Sequence, residues 1–430
     1  MSRTMHLAVF AQGVGVSQSV WRSARTHPES MHTLGHWTEL ARLAENGCFD
    51  AFFIADQLNL APTIAMDATD RPDPVVVLAA LAAVTSKIGL IGTSSTTYND
   101  PYTVARQFAT LDQISDGRAG WNVVTTAIAT AAANYGSAGL PDHDARYERG
   151  EEFVDVVRAL WDAWATDAIV GDRESGVWAD LEKITAIDHV GPHFQVKGPL
   201  TLPRSPQGQL PLAQAGSSAT GMKLGARVAD MVFTTQHDFE AAKEFADSMH
   251  ALAVDAGRTS GAVKVLPGIT PIVGKTEAEA RELAREIGSF ISEESTLGFL
   301  KQAFGGLDLT GYGLDEPFPD LRDQLPSHAS VSRPELFIRT ALQESLTVRQ
   351  LAQRVGMSIG HRPLVGTPDS IADEMARWFE GGAADGFIVL PADLPVGLAE
   401  FVELVVPRLQ HRGLLRKAYT GSTLAEHLAE

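Results

Sequence analysis

The chain has 430 residues, enough for one large domain or two ordinary ones, and its hydrophobic (44%) and charged (20%) fractions are those of an ordinary globular protein. Fifty-three acidic against thirty-five basic residues give a formal net charge of −18, which argues against nucleic acid or an anionic membrane surface as a partner. The single cysteine, Cys48, cannot form an internal disulfide and fits a reducing cytoplasm. No charged segment followed by an apolar one opens the chain, and no apolar stretch is long enough to span a bilayer, so a soluble intracellular protein is expected.

Along the chain, short apolar runs alternate with segments of helical periodicity. Met5 to Phe10 predicts a first strand, and Trp37, Leu40, Ala41 and Ala44 then recur at helical spacing. Cys48 to Ile54 is apolar; Phe49 to Ile54 predicts a second strand, and Cys48 reads as a small buried residue rather than a reactive thiol. A helix through Val76, Val77, Ala80, Leu81 and Val84 follows. The third strand ends at Thr93 in a row of hydroxyls, Thr93-Ser94-Ser95-Thr96-Thr97-Tyr98, before Pro101 opens a helix through Gln107, Phe108 and Leu111. Gly120 to Thr125 is the fourth strand. A long helix carries Phe153, Val157, Leu160, Trp161 and Trp164 on one face.

Leu210 to Gly216, Met231 to Thr235, Val263 to Val273 and Gly386 to Leu390 predict the remaining strands. Thr367 caps and Pro368 opens a helix with Ile371, Met375, Trp378 and Phe379 on its buried side. Eight strands interleaved with helices is the count of a TIM-type (β/α)₈ barrel, an α/β fold, and a single domain over residues 1–430 is expected. An open doubly wound sheet is the alternative. Two stretches break the repeat: 172–209, rich in Gly, Pro and charge, and 292–334, where Gly305-Gly306 and several prolines lie among aromatics. Both read as long loop insertions, the second as a lid.

Several chemistries lack their motif. There is no phosphate loop of the Gly-x-x-x-x-Gly-Lys type and no Gly-x-Ser-x-Gly elbow. Gly13-Val14-Gly15 is followed by Gln18 where a dinucleotide fingerprint needs a third glycine. His32 with His36, and His189 with His193, are spaced four apart, but no fuller metal-binding set accompanies them, and no metal is expected. What remains is polar residues at strand ends: Asp56 after the second, Thr93 to Thr97 after the third, Asn122 with Thr125 and Thr126 on or after the fourth, and Gly216-Ser217-Ser218 after the fifth. In barrels, ligands gather at the carboxyl ends of strands. Small residues and hydroxyls opening a helix are the form an anion site takes, so the set favours a phosphate-bearing cofactor.

These motifs carry a family resemblance. Phe52-Phe-Ile-Ala-Asp56, Ser95-Thr-Thr-Tyr98, Leu111-Asp112, Gly117-Arg118, Trp121-Asn-Val-Val-Thr125, His143-Asp-x-Arg-Tyr147 and Gln214-Ala-Gly-Ser-Ser218 resemble the bacterial luciferase-like flavin monooxygenases. Asp308-Leu-Thr310, Gly366-Thr-Pro368 and the tail Tyr419-Thr-Gly-Ser-Thr-Leu424 resemble the branch holding nitrilotriacetate monooxygenase component A and dibenzothiophene-sulfone monooxygenase. The resemblance implies a barrel that takes reduced FMN from a separate NAD(P)H-dependent reductase and uses O₂ to oxygenate a small organic substrate, such as an aminopolycarboxylate or an organosulfur compound. It places flavin contacts on Asp56, Thr93, Asn122, His143, Tyr147, Ser217 and Ser218. Of these, Ser217, Ser218 and Tyr147 would meet the phosphate, and Asp56, Thr93 and Asn122 the ring system. A homodimer or homotetramer is the expected assembly. Gln12-Gly13-Val14-Gly15 offers no acid, base or nucleophile, so no catalytic residue is nominated. Trp37, Gln57, Asn59, Phe304, His361 and Arg362 are candidates for the substrate wall. The competing readings are a deazaflavin-dependent hydride-transfer enzyme of the same fold, a two-carboxylate hydrolase, and a flavin-binding protein without catalysis.

Overall fold

In the computed structural model, the described residues are 3–430 except 62, 69, 127, 138, 305, 310 and 326–331. The expectations at Gly305 and Thr310 lie outside them. Eight parallel strands close a barrel: β1 (His6–Phe10), β2 (Ala51–Ile54), β3 (Gly89–Ser95), β4 (Ala119–Val124), β5 (Leu212–Gln214), β6 (Met231–Thr234), β7 (Lys264–Val273) and β8 (Gly386–Val389). Each pairs with the next, and β8 returns to β1 with His6 opposite Gly386 and Val9 opposite Val389. The eight runs expected from sequence are these eight strands.

Alternation along each strand divides the core in two. Leu7 and Val9 point outward to the helices, while Ala8 and Phe10 point into the barrel with Ala51, Phe53, Ile91, Ala213, Met231, Leu266 and Ile388. Helices cover the outside. Leu34–Asn46 buries Trp37, Leu40, Ala41 and Ala44, and Pro368–Glu380 buries Ile371, Met375, Trp378 and Phe379 behind the Thr367 cap. Helix Pro74–Ala82 is apolar nearly all round, so its sequence gave little facial contrast: Leu78 and Leu81 turn inward while Val76 is exposed. The long helix His143–Trp161 stops before Trp164, whose indole N–H instead donates to Leu200 O at 2.9 Å.

A further strand, Arg362–Gly366, lies outside the eight. β7 is ten residues long; its first half pairs with β6, and Ile269 to Val273 pair with this extra strand. Two small hairpins, Ile169–Asp172 with Val177–Ala179 and His189–Val190 with Gln195–Val196, lie at the start of and within the 172–209 stretch. The stretch 292–334 is more than a loop. Helix Glu293–Ala303 and the turns after it bury Leu300, Phe304, Leu309, Phe318 and Leu321 against Phe337, Ile338, Leu351 and Val355 of the following helices. That satellite core packs the described part of the segment against the helices that follow it.

The other end of the barrel is closed by the carboxyl tail. Leu424 and Leu428 of helix Leu424–Ala429 join the interior cluster. A Cβ on Gly89 or Gly120 would lie 2.5 or 2.8 Å from the Leu424 methyls, so these strand glycines make room for the plug. Beneath it Asp50 is fully enclosed. Its carboxylate meets His6 Nδ1 at 3.0 Å and accepts from Leu7 N at 2.7 Å and Arg416 Nη2 at 2.6 Å.

Candidate active site at the barrel mouth

The strands deliver polar groups to a cavity of about 260 Å³ at their carboxyl ends. Phe10, Phe53 and Phe233, from β1, β2 and β6, form one wall, with ring centroids 5.6 to 6.2 Å apart. Asp56, Gln57, Thr93, Ser95, Asn122, Thr126 and Ala215 line the remainder with a few aliphatic side chains. A mostly apolar recess with convergent polar groups is the usual form of a small-molecule site, and this volume suits a planar ring more than a whole cofactor.

Register explains the polar pair at its floor. Thr93 and Asn122 are direct partners across β3 and β4, and Asn122 Nδ2 donates to Thr93 Oγ1 at 2.9 Å. Thr93 in turn donates to Ile54 O at 2.9 Å. Asn122 Oδ1 is buried and has no hydrogen-bond partner among the described residues. A buried acceptor left unmet costs roughly 1–3 kcal/mol, so a ligand N–H arriving there recovers what folding gave up.

The row of hydroxyls is only partly offered to the cavity. Thr93 and Ser95 line it, but Thr96 Oγ1 is spent on Val124 O and Thr97 Oγ1 on Thr125 O. Tyr98 stacks on Tyr135 at 4.8 Å. Asp56 sits half-buried and accepts from Gln57 N at 2.8 Å. Burial raises its pKa above the ordinary 3.8, and the nearby carboxylate of Asp73 adds to this; Gln57 N–H and Arg71 oppose it. Arg71 is pushed down to about 10, also by burial, against which the nearby Asp56 carboxylate acts.

Ala215 leads from the cavity into the start of helix Ala219–Val228. Here Gly216, Gly221, Ser218 and the Tyr147 hydroxyl converge: a Cβ on Gly216 would stand 3.1 Å from Tyr147 Oη, and one on Gly221 would stand 2.9 Å from it. Ser218 is the helix cap, its Oγ accepting from Gly221 N at 3.1 Å. His143 Nε2 lies 3.5 Å from the same oxygen, its ring packs 4.7 Å from that of Tyr147, and its Nδ1 meets Asp144 at 2.8 Å. Ser217 is exposed on the rim. All seven residues expected to contact flavin are therefore on the mouth side, in two groups: Asp56, Thr93 and Asn122 at the cavity, and His143, Tyr147, Ser217 and Ser218 at the helix start. The donor set fits FMN, with an acceptor and apolar walls for the ring and backbone N–H groups with hydroxyls for the phosphate.

The substrate-wall candidates divide. Gln57 lines the cavity and Asn59 ties its loop across the mouth to Thr130 Oγ1 at 2.9 Å. His361 stacks on Phe233 with centroids 4.8 Å apart. Trp37 is a core residue under its helix, and Phe304 belongs to the satellite core. Arg362 faces away, paired with Glu374 at 2.7 Å over the Trp378 ring. The phenylalanine wall was missed by sequence reasoning, although aromatics at the inward positions of three strand ends were its signal. Among the described residues no group of histidines, cysteines and carboxylates could hold a metal. His36 is spent on Gly13 O and His189 on Glu152. Cys48 is buried, which raises its thiol pKa and keeps it unreactive. No described helix is long and apolar enough to cross a membrane.

Comparison with known proteins agrees with this geometry. The family model of the luciferase-like monooxygenases matches residues 5–385. N-acetyl-S-(2-succino)cysteine monooxygenase of Bacillus subtilis is 42% identical, over 99% of this chain and 96% of its own length. Nitrilotriacetate monooxygenase component A of Aminobacter aminovorans is 41% identical, with the same coverage. The solved structure of EDTA monooxygenase from Chelativorans sp. BNC1 superimposes with a TM-score of 0.86 at 35% identity, covering 99% of this chain and 98% of that one.

Proposed function

The chain belongs to the luciferase-like monooxygenase family and is an enzyme of that flavin-dependent class, and on that premise we propose that it uses reduced FMN and O₂ to oxygenate a small organic compound, an aminopolycarboxylate or an organosulfur compound. The observation that carries the reading is the continuity of the site. A ring-sized apolar cavity with an unmet acceptor on Asn122 runs directly into a glycine- and serine-lined helix start.

FMN supplies the oxygen-activating chemistry when bound. The protein's part is to hold and shield it. Asp56, Thr93 and Asn122 would hold the ring edge, and Ser217, Ser218, Tyr147 and His143 would hold the phosphate. Phe10, Phe53 and Phe233 would keep water from the bound ring. Reduced flavin comes from a separate NAD(P)H-dependent reductase in the cytoplasm, in keeping with the missing dinucleotide fingerprint. The chain assembles as a homodimer or homotetramer; Trp178, Leu181 and Val190, exposed on and beside the hairpins of the 172–209 excursion, support such an interface.

The test is oxygen consumption and substrate loss across a panel of aminopolycarboxylates and thioethers, with NADH, FMN and an added flavin reductase. At least one compound should disappear with the oxygen, and the chain alone should oxidise no NADH. Robust NADH oxidation without the reductase, or no oxygen uptake beyond the reductase blank, would overturn the reading.

A further inference from the structure

We propose that Arg333 is the binding point for a carboxylate of the organic substrate, because it is a guanidinium held beside His361, behind the Phe233 wall of the cavity, with no carboxylate partner among the described residues. The inference rests on the monooxygenase reading above and names the substrate class it would take.

Arg333 stands at the start of helix Ser332–Gln343. Its Nη2 donates to Ile359 O at 2.9 Å and approaches His361 Nε2 at 3.5 Å. Its Nε is buried without an acceptor. Among the described residues no carboxylate pairs with it, and burial alone pulls its pKa down. Arg71 and Arg146 also keep a buried Nε without an acceptor, but Arg71 has Asp56 nearby and Arg146 is held by Thr125 O and Thr126 O; two further enclosed arginines are better satisfied. Arg118 spends its donors on Ser115, Thr85, Ile88 and Ala82, and Arg416 is paired with Asp50. An enclosed cation left unpaired destabilises a fold, so it is retained for something that arrives later.

Its place points at the substrate. His361 lies between Arg333 and Phe233, its ring parallel to that of Phe233 within 10°, and Phe233 is a wall of the flavin cavity. Gly268 makes the stack possible, since a Cβ there would lie 2.8 Å from Phe233 Cε2 and against the His361 ring. Arg333 donates to His361 Nε2, so the His361 proton sits on Nδ1, facing Thr235 Oγ1 at 3.4 Å. Burial, Arg333 and His237 hold His361 neutral. His237 donates to Gly360 O at 3.0 Å and receives from Thr340 Oγ1 at 3.0 Å; burial pushes it down to about 4. The cluster therefore presents one positive charge, on a planar fork whose geometry matches a carboxylate.

The full-length chain would be reconstituted with FMN and titrated calorimetrically with nitrilotriacetate and with its trimethyl ester, which has the same skeleton and no anion. Wild type, Arg333→Met and Arg333→Lys would be compared. Wild type should bind the acid better than the ester. Arg333→Met should lose about 10- to 100-fold in acid affinity, the size of one charge-assisted contact, and Arg333→Lys should recover part of it. FMN affinity should not move. Without ligand the melting midpoint of Arg333→Met should stay level or rise. Unchanged acid affinity in Arg333→Met, a wild type that binds neither probe at millimolar concentration, or a midpoint lowered by several degrees would each overturn the assignment. Failure to bind FMN would instead sink the flavin reading itself.

Discussion

The two ends of this barrel use buried polar groups in opposite ways. At the closed end the charges are paired. Asp50 is met by His6, Leu7 N–H and Arg416, Tyr419 donates to Phe49 O at 2.7 Å, and Leu424 fills the space the strand glycines leave. The pairing there is not complete: Arg416 Nε and Nη1 and both ring nitrogens of His427 are buried without a hydrogen-bond partner among the described residues, and burial lowers the His427 pKa. At the open end the functional groups are left wanting: among the described residues Asn122 Oδ1 has no donor and Arg333 no carboxylate partner. The same α/β chain therefore concentrates stability at one rim and binding capacity at the other, as barrels do.

The largest expected effect is at the closed end. Asp50→Ala should cost about 3–5 kcal/mol in chemical denaturation, because Arg416 is left buried and unpaired. FMN affinity of the folded fraction should be unchanged. Burial by itself would raise the Asp50 pKa, but His6 and Arg416 outweigh it and hold the carboxyl below its ordinary 3.8. A pKa depressed by folding means that Asp50's contribution is complete above the ordinary value and is lost as pH falls through the lower folded one. The acid limb of the stability curve should accordingly flatten in Asp50→Asn. A loss under about 1 kcal/mol at neutral pH would break the contrast between the two rims.

The next effect separates phosphate from ring. If Ser218 holds the FMN phosphate, Ser218→Ala should weaken FMN binding by about 10- to 100-fold and leave riboflavin nearly untouched. The structure adds a complication that sequence did not show. Ser218 also caps helix Ala219–Val228, so the variant should lose about 1 kcal/mol of stability as well. Ser218→Asp keeps the cap but repels phosphate, and should restore stability without restoring FMN affinity. Equal losses for FMN and riboflavin in anaerobic titrations would move the phosphate elsewhere.

How much of this was legible in the sequence follows from interaction range. The eight strands were visible because each is an apolar run with its own turn signals, and the rim residues were visible because they follow those runs. Arg362–Gly366 escaped because a five-residue strand containing Pro363 looks like a loop, and it pairs only beside the long β7. The plug escaped because Leu424 meets glycines some three hundred residues away in the chain. The hydroxyl row was overread, since sequence cannot say which of Thr96 and Thr97 will turn back onto β4 and its extension. Arg333 gave no signal at all: an arginine opening a helix reads as a solvated charge until its missing partners can be inspected.

The smallest effect is the most informative about the open end. Asn122 Nδ2 is committed to Thr93, but Oδ1 is not committed to anything. Replacing it with leucine, close in size, removes an unmet acceptor together with a hydrogen bond that Thr93 can spare, since Thr93 still donates to Ile54 O. Stability should therefore change by less than about 1 kcal/mol, in either direction. Flavin affinity should fall by about 3- to 10-fold, the size of one neutral hydrogen bond, and equally for FMN and riboflavin, because the contact is to the ring they share. That equality is the opposite of the Ser218 pattern and is what ties the cavity to the ring. If Asn122→Leu bound both flavins as the wild type does, the unmet oxygen would belong to the substrate rather than to the cofactor. If it lost several kcal/mol of stability, Asn122 would be a structural residue, and the open rim would be less like a binding surface than its geometry indicates.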